Sequence, residues 1–199
     1  TYFTTKQKWF SKLNHPELIS GSFKVVKILI KFPQMWKWKK GIYMSVLVYT
    51  ESENGKFKKA ALEVASYAFA VASQLGTTVT AVTFNSNDAS VLGKHGVSKV
   101  LNVSNISQFD AKLYAEALKQ ASEKEGAKVV ILSASTDSKY LAPFLTIGLD
   151  AAYASNVVEA PSSVSPFTVK RTGFTNKAFN YTELHSDIKI VGVSSNAFG

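Results

Sequence analysis

VVILSASTDSKYLAP, residues 129–143, joins a wholly apolar β-rich run to a hydroxyl-rich loop and then to a helix start. An apolar run without alternation suits a strand covered on both faces, as in a parallel sheet. KVVILSAS (128–135) is the most apolar such run in the chain, and a helix is predicted from about Lys139 to Ala151. A strand followed at once by a helix is half of a βαβ crossover.

The same alternation extends to both sides. SVLVYT (45–50) predicts a strand, followed by a turn at Asn54-Gly55. KKAALEVASYAFAVASQLG then predicts a helix of good formers that ends at Gly76, a C-cap signal. TVTAVTF (78–84) and KVLNVS (99–104) are the next strands, with the short helix DASVLGKHG between them. DAKLYAEALKQASEKEG reads as an amphipathic helix, with Ser107 and Asp110 as its capping pair. Beyond residue 155, NVVEA, PFTVKRTG, NKAFNYTELHS and DIKIVGVS read as strands with no helix between them. The expected fold is α/β: an open, mostly parallel, doubly wound sheet of Rossmann-like or adenine-nucleotide-hydrolase-like type, with a C-terminal antiparallel β extension.

The charge of +9 is unevenly placed. Residues 1–40 hold nine of the 23 Lys+Arg and one of the 14 Asp+Glu, leaving the remainder at 14 against 13. All three tryptophans, Trp9, Trp36 and Trp38, lie in the same stretch. A nearly neutral body has no electrostatic footprint for a phosphate backbone, so no nucleic-acid role is expected of it. Lys24, Lys27 and Lys31 recur at helical spacing, as in an amphipathic surface helix. The apolar runs are far too short for a membrane span. Residues 1–43 are therefore expected to be a basic extension, non-native or disordered, with a targeting segment or a true structural element as alternatives. The folded domain is expected over 44–199. The absence of cysteine excludes disulfides and thiolate chemistry and fits a reducing compartment.

In an open parallel sheet, ligands bind beyond the carboxyl ends of the strands. The loop after the fourth strand carries Ser135, Thr136, Asp137 and Ser138, candidates for an anion site at a helix N-terminus. The same residue types also serve as simple helix caps. No G-x-G-x-x-G or G-x-x-x-x-G-K-[ST] motif is present. His15, His95 and His185 have no metal-ligand spacing and read as surface residues. Arg171, the sole arginine, could hold a partner's carboxylate or phosphate or form a surface ion pair. The residues by themselves define an α/β domain without a catalytic constellation and with no metal site.

Several phrases in order resemble the N-terminal domain of the electron transfer flavoprotein alpha subunit. They are VLVYTE with its N-G-K turn (47–56), ALEVAS, GVSKVL (96–101), VVILSASTDSKYLAP, and the closing FTVKRTGFTNKAF and IKIVGVSSNAFG. The resemblance covers residues 44–199. Two positions depart from the family's pattern: Phe144 stands where a basic residue is usual, and Ser194 and Ser195 where an arginine is usual. The resemblance implies a subunit of a heterodimeric electron carrier, not an enzyme, that takes electrons from acyl-CoA dehydrogenase-type donors, as in fatty acid β-oxidation, and passes them to a quinone oxidoreductase. It implies FAD in a C-terminal domain expected to lie beyond residue 199, and AMP in the partner beta subunit. No FAD-binding residue is implied here, and Arg171 is the docking candidate. The implied compartment is a bacterial cytoplasm rather than a mitochondrial matrix. The alternative is a stand-alone adenine-nucleotide-binding domain of the related stress-protein type, which would need a glycine in the STDSK loop.

Overall fold

A computed structural model describes residues 24–27, 45–106 and 108–198. The apolar run after Ser45 forms strand β2 (Val46–Tyr49), with every residue buried. Strand β1 (Lys24–Lys27) precedes it. The chain then makes a small hairpin of β3 (Ser52–Glu53) and β4 (Lys56–Phe57). Asn54 and Gly55 both take positive φ, 51° and 77°, at its tip. That backbone twist is the one a two-residue hairpin requires, and Asn-Gly adopts it at low steric cost.

Helix α1 (Lys59–Leu75) follows and stops at Gly76, whose left-handed φ of 65° lets its N–H reach back to the last turn. Next come β5 (Val79–Phe84), the single turn α2 (Ser90–Gly93) and β6 (Val97–Val103). Helix α3 (Ala111–Glu125) is capped by Asp110, which accepts from the N–H groups of Lys112 and Leu113 at 2.9 Å. Ser107, expected to share that cap, lies outside the described residues.

Strand β7 (Val129–Ser133) leads into α4 (Thr136–Leu149), three residues earlier than predicted. Ser135 advances the start: its hydroxyl accepts from Ser138 N–H at 3.0 Å and caps the first turn. Strand β8 (Ala152–Val157) is followed by β9 (Ser163–Val164), β10 (Phe167–Gly173), β11 (Ala178–Leu184) and β12 (Lys189–Val193).

The sheet runs in the order β1-β6-β5-β2-β7-β12-β8-β10-β11, with β9 beside β10. Pairings from β6 through to β8 are all parallel. Residues alternate across it: Val46 and Val48 pack under α1 with Val64, Ala68 and Val71. Leu47 and Tyr49 point the other way, to Leu118 of α3 and Leu141 and Leu145 of α4. Helices thus cover both faces, as the doubly wound reading requires.

Two expectations are corrected. The closing strand β12 is not part of the antiparallel extension; it inserts between β7 and β8, parallel to both. Its segment IVGV is buried throughout, and only an interior position covers an apolar strand on both faces. Among the described residues of the C-terminal extension, the antiparallel pairings are those of β10 with β9, β11 and β8. Likewise, Lys24–Lys27 do not form a helix but an edge strand antiparallel to β6, pairing Val25 with Leu101. Other readings placed on residues 1–43 lie outside the described residues.

Candidate functional site

From β2 the chain winds outward to β5 and β6, then returns to the opposite side of β2 to lay down β7. The crossovers therefore diverge at the carboxyl ends of β2 and β7, the place where an open sheet leaves a crevice. A cleft of ≈ 500 Å³ sits there. Three strand-end loops reach it, the one picked out in the sequence among them: Glu51 and Ser52 come after β2, Asn85 after β5, and Asp137 after β7.

Its organising residue is Glu51, which the sequence reading passed over. The Asn54-Gly55 hairpin folds the chain back so that Lys58 N–H donates to the Glu51 carbonyl at 3.1 Å. This fixes the Glu51 backbone, and its side chain, only 3% exposed, enters the sheet edge. There Oε1 accepts from Ser133 Oγ at 2.5 Å, from Ser138 Oγ at 3.0 Å and from Ser135 Oγ. Oε2 accepts no hydrogen bond among the described residues and faces the ammonium of Lys58 at 3.8 Å. Lys58 is shared with Glu53, at 3.7 Å.

The candidate anion residues are thus placed as follows. Ser135 and Ser138 do converge, but on a carboxylate of the protein itself, and Ser135 is also the helix cap. Thr136 is exposed at the first helical position, while Asp137 lines the cleft. The wall behind is aromatic: Phe84 stacks on Tyr114 at 3.6 Å between centroids, and Tyr49 meets both edge-on. Burial, and after it the charge of Glu51, pushes the Tyr49 phenol well above its ordinary range. Burial and Asp137 push Tyr114 the same way. Both phenols therefore stay protonated beside the carboxylates.

Such a cleft does not suit a phosphate. The hydroxyls that would hold one are already spent on Glu51, the first-turn N–H of Ser138 is taken by Ser135 Oγ, and Asp137 adds a like charge. Neither the pyrophosphate of FAD nor the phosphate of AMP fits the residues present. The signal available in the sequence was positional: a carboxylate at the end of the first strand faces a serine-rich loop at the end of the strand that becomes its neighbour.

Arg171 lies elsewhere, on β10, separated from β7 by β12 and β8. It is half-buried and donates from Nη2 to Ser155 Oγ at 3.2 Å, while its buried Nε meets no acceptor among the described residues. His95 is not a free surface residue: its Nδ1 lies 2.9 Å from Ser66 Oγ on α1. His185 is exposed, 3.4 Å from Glu183, and His15 lies outside the described residues. Among the described residues no three His, Asp or Glu side chains are placed to hold a metal, and no helix is long and apolar enough to cross a membrane.

The model of the electron transfer flavoprotein domain matches residues 46–199. The chain belongs to this family. No curated protein matches it. Electron transfer flavoproteins are electron carriers, in which a flavin supplies the redox chemistry and the protein supplies binding, orientation and docking. The matched span takes in every strand from β2 to β12, so the cleft and the antiparallel extension both belong to the electron transfer flavoprotein domain.

Proposed function

We propose that this chain is the N-terminal domain of an electron transfer flavoprotein alpha subunit and serves as a structural platform onto which the beta subunit docks. The observation that carries the reading is the Glu51 carboxylate held by Ser133, Ser135 and Ser138. It occupies the place where a nucleotide-binding domain of this architecture would hold phosphate. A domain built this way contributes shape and surface rather than the cofactor site. FAD then belongs to a C-terminal domain and AMP to the beta subunit. The exposed aromatics Phe174, Phe179 and Tyr181 on and beside β11 give the extension a surface for a partner, with Arg171 on the neighbouring strand as docking candidate.

In this reading the parent heterodimer accepts electrons from acyl-CoA dehydrogenase-type enzymes and delivers them to a quinone oxidoreductase. The setting is fatty acid oxidation in a bacterial cytoplasm. The stand-alone nucleotide-binding alternative is disfavoured by the same Glu51 contacts, because they leave no free cradle for phosphate.

The test is gentle affinity capture of the tagged chain from its source cells, followed by the visible spectrum and mass of what copurifies. A beta-type partner of similar size supports the reading. Flavin absorbance recovered on the chain with no partner would overturn it.

A further inference from the structure

The cleft that rejects phosphate has a different complementarity. Glu51 lines the cleft, and its Oε2, shielded from solvent with Lys58 as its nearest cation, has no hydrogen-bond partner among the described residues. An ionised oxygen without a donor in a site of low dielectric is unfavourable, so buried carboxylates normally have one. Lys58 does not supply it: its ammonium stands 3.8 Å from Glu51 and 3.7 Å from Glu53, too far for a hydrogen bond to either. With Asp137 the cleft wall carries, among the described residues, three carboxylates against that one cation. Beside them Phe109, 37% exposed, meets Tyr114 edge-on at 5.0 Å and offers an apolar flank at the mouth.

We propose that this cleft is a binding site for a small organic cation bearing a guanidinium group. Its five donors are spread over the edges of a rigid plane, so it can bridge two separate carboxylates in one fixed geometry, which an ammonium cannot match. One edge of the plane reaches Glu51 Oε2 and another faces Glu53. Its short apolar tail lies along Phe109 and Tyr114. Lys58 is the tethered stand-in: it screens the carboxylates in the empty cleft and swings out, being partly exposed, when the ligand enters. The volume of ≈ 500 Å³ lies within the usual range of small-molecule pockets. A metal ion is a poorer occupant, because no three ligating side chains converge among the described residues. The inference concerns the cleft alone and stands whether or not the chain is an alpha subunit.

Titration of the 199-residue chain with propylguanidinium, followed by backbone and aromatic NMR shifts, tests it against propylammonium and AMP. Propylguanidinium is expected to shift Glu51, Glu53, Lys58 and Tyr114, and to bind at least about threefold tighter than propylammonium. Lys58→Ala removes the competing cation without touching the backbone bond to Glu51, and should tighten binding about three- to tenfold. Glu53→Gln, at an exposed position, should weaken it about threefold or more. Absence of shifts with propylguanidinium, equal binding of propylammonium, AMP binding as tightly as propylguanidinium, or weaker binding in the Lys58→Ala chain would each overturn the proposal.

Discussion

Glu51 and Ser133 meet at 2.5 Å although 82 residues separate them in the chain. The contact ties the end of β2 to the end of β7 across the point where the winding of the sheet reverses. With Ser135 and Ser138 it supplies from within the protein the negative charge that a helix N-terminus attracts. The anion site of the architecture is present in shape, but the chain fills it.

Removal of that carboxylate should therefore be felt first as lost stability. Glu51→Ala leaves the hydroxyls of Ser133 and Ser138 buried without their acceptor, and is expected to lower the unfolding free energy by about 2 kcal/mol. Glu51→Gln keeps one acceptor oxygen and should lose about half as much. Urea unfolding followed by far-UV circular dichroism measures both. An unchanged midpoint in Glu51→Ala would mean that the serines find other partners and that the contact does not hold the two strands together.

The same alanine variant should gain a property. With the carboxylate gone, three hydroxyls at the N-terminal end of α4 lose their acceptor and can turn to an anion beside the helix start. Inorganic phosphate is expected to shift the amide resonances of Ser135 to Ser138 in Glu51→Ala and to leave them in place in the parent chain. Shifts of equal size in both would show that Glu51 does not occlude the cradle.

Alkaline pH should destabilise the domain through two buried phenols. Burial holds Tyr49 and Tyr67 well above the ordinary tyrosine range, Glu51 adding to the effect at Tyr49, whereas both titrate near pH 10 once unfolded. The unfolded chain therefore loses these protons first. The stabilising contribution is complete below about pH 10 and is lost as pH rises above it, at about 1.4 kcal/mol per unit for each phenol. Urea midpoints from pH 8 to 11 should fall accordingly. Tyr67→Phe, which also loses the bond to the Glu159 carbonyl at 3.1 Å, should be less stable at pH 8 yet show a shallower alkaline slope.

How much of this was legible depended on how far apart the interacting residues lie. Gly76 and Gly126 end α1 and α3 because a left-handed residue closes each helix, and Asn54-Gly55 turns its hairpin for the same local reason. Such signals need only near neighbours in the chain, so the order of strands and helices could be read directly. The place of β12 could not. Its buried IVGV run shows that it is interior, but which strands flank it depends on the gap left between β7 and β8 by a crossover of α4. Lys24–Lys27 was misread because lysines three apart fit a helix, while pairing with β6 is a tertiary contact. Glu51 was missed for a related reason: a lone carboxylate after a strand is unremarkable until the serine loop is brought opposite it.

A packing prediction follows from Gly96, which takes a φ of +81° at the entry to β6. A Cβ built there would stand 2.3 Å from the ring of Phe69 on α1. Both backbone strain and overlap oppose a side chain, so Gly96→Ala should lose about 2–4 kcal/mol. Adding Phe69→Ala removes the overlap with the ring, but leaves the Phe69 Cβ position, 2.8 Å from the added methyl, and the strained φ. The double variant should therefore recover part of the loss relative to the two singles summed, a coupling that a double-mutant cycle in urea reads directly. Strict additivity would show that the ring is not what the new methyl meets.

Arg171 offers the most direct test of docking. One of its donors is placed on Ser155 at 3.2 Å, and the side chain is half-buried between β8 and the outer hairpin. A guanidinium with donors left over at a rim is the residue type that fixes a partner carboxylate or carbonyl in two-point contact. Arg171→Ala is expected to change the chain's own stability by about 1 kcal/mol or less, since it removes a single internal hydrogen bond. Capture of a beta-type partner should weaken about tenfold. Arg171→Lys keeps the charge but lacks the planar fork, and should fail to restore capture. Full recovery with lysine would reduce the role of Arg171 to long-range attraction, and undiminished capture by the alanine variant would place the docking contact elsewhere on the extension.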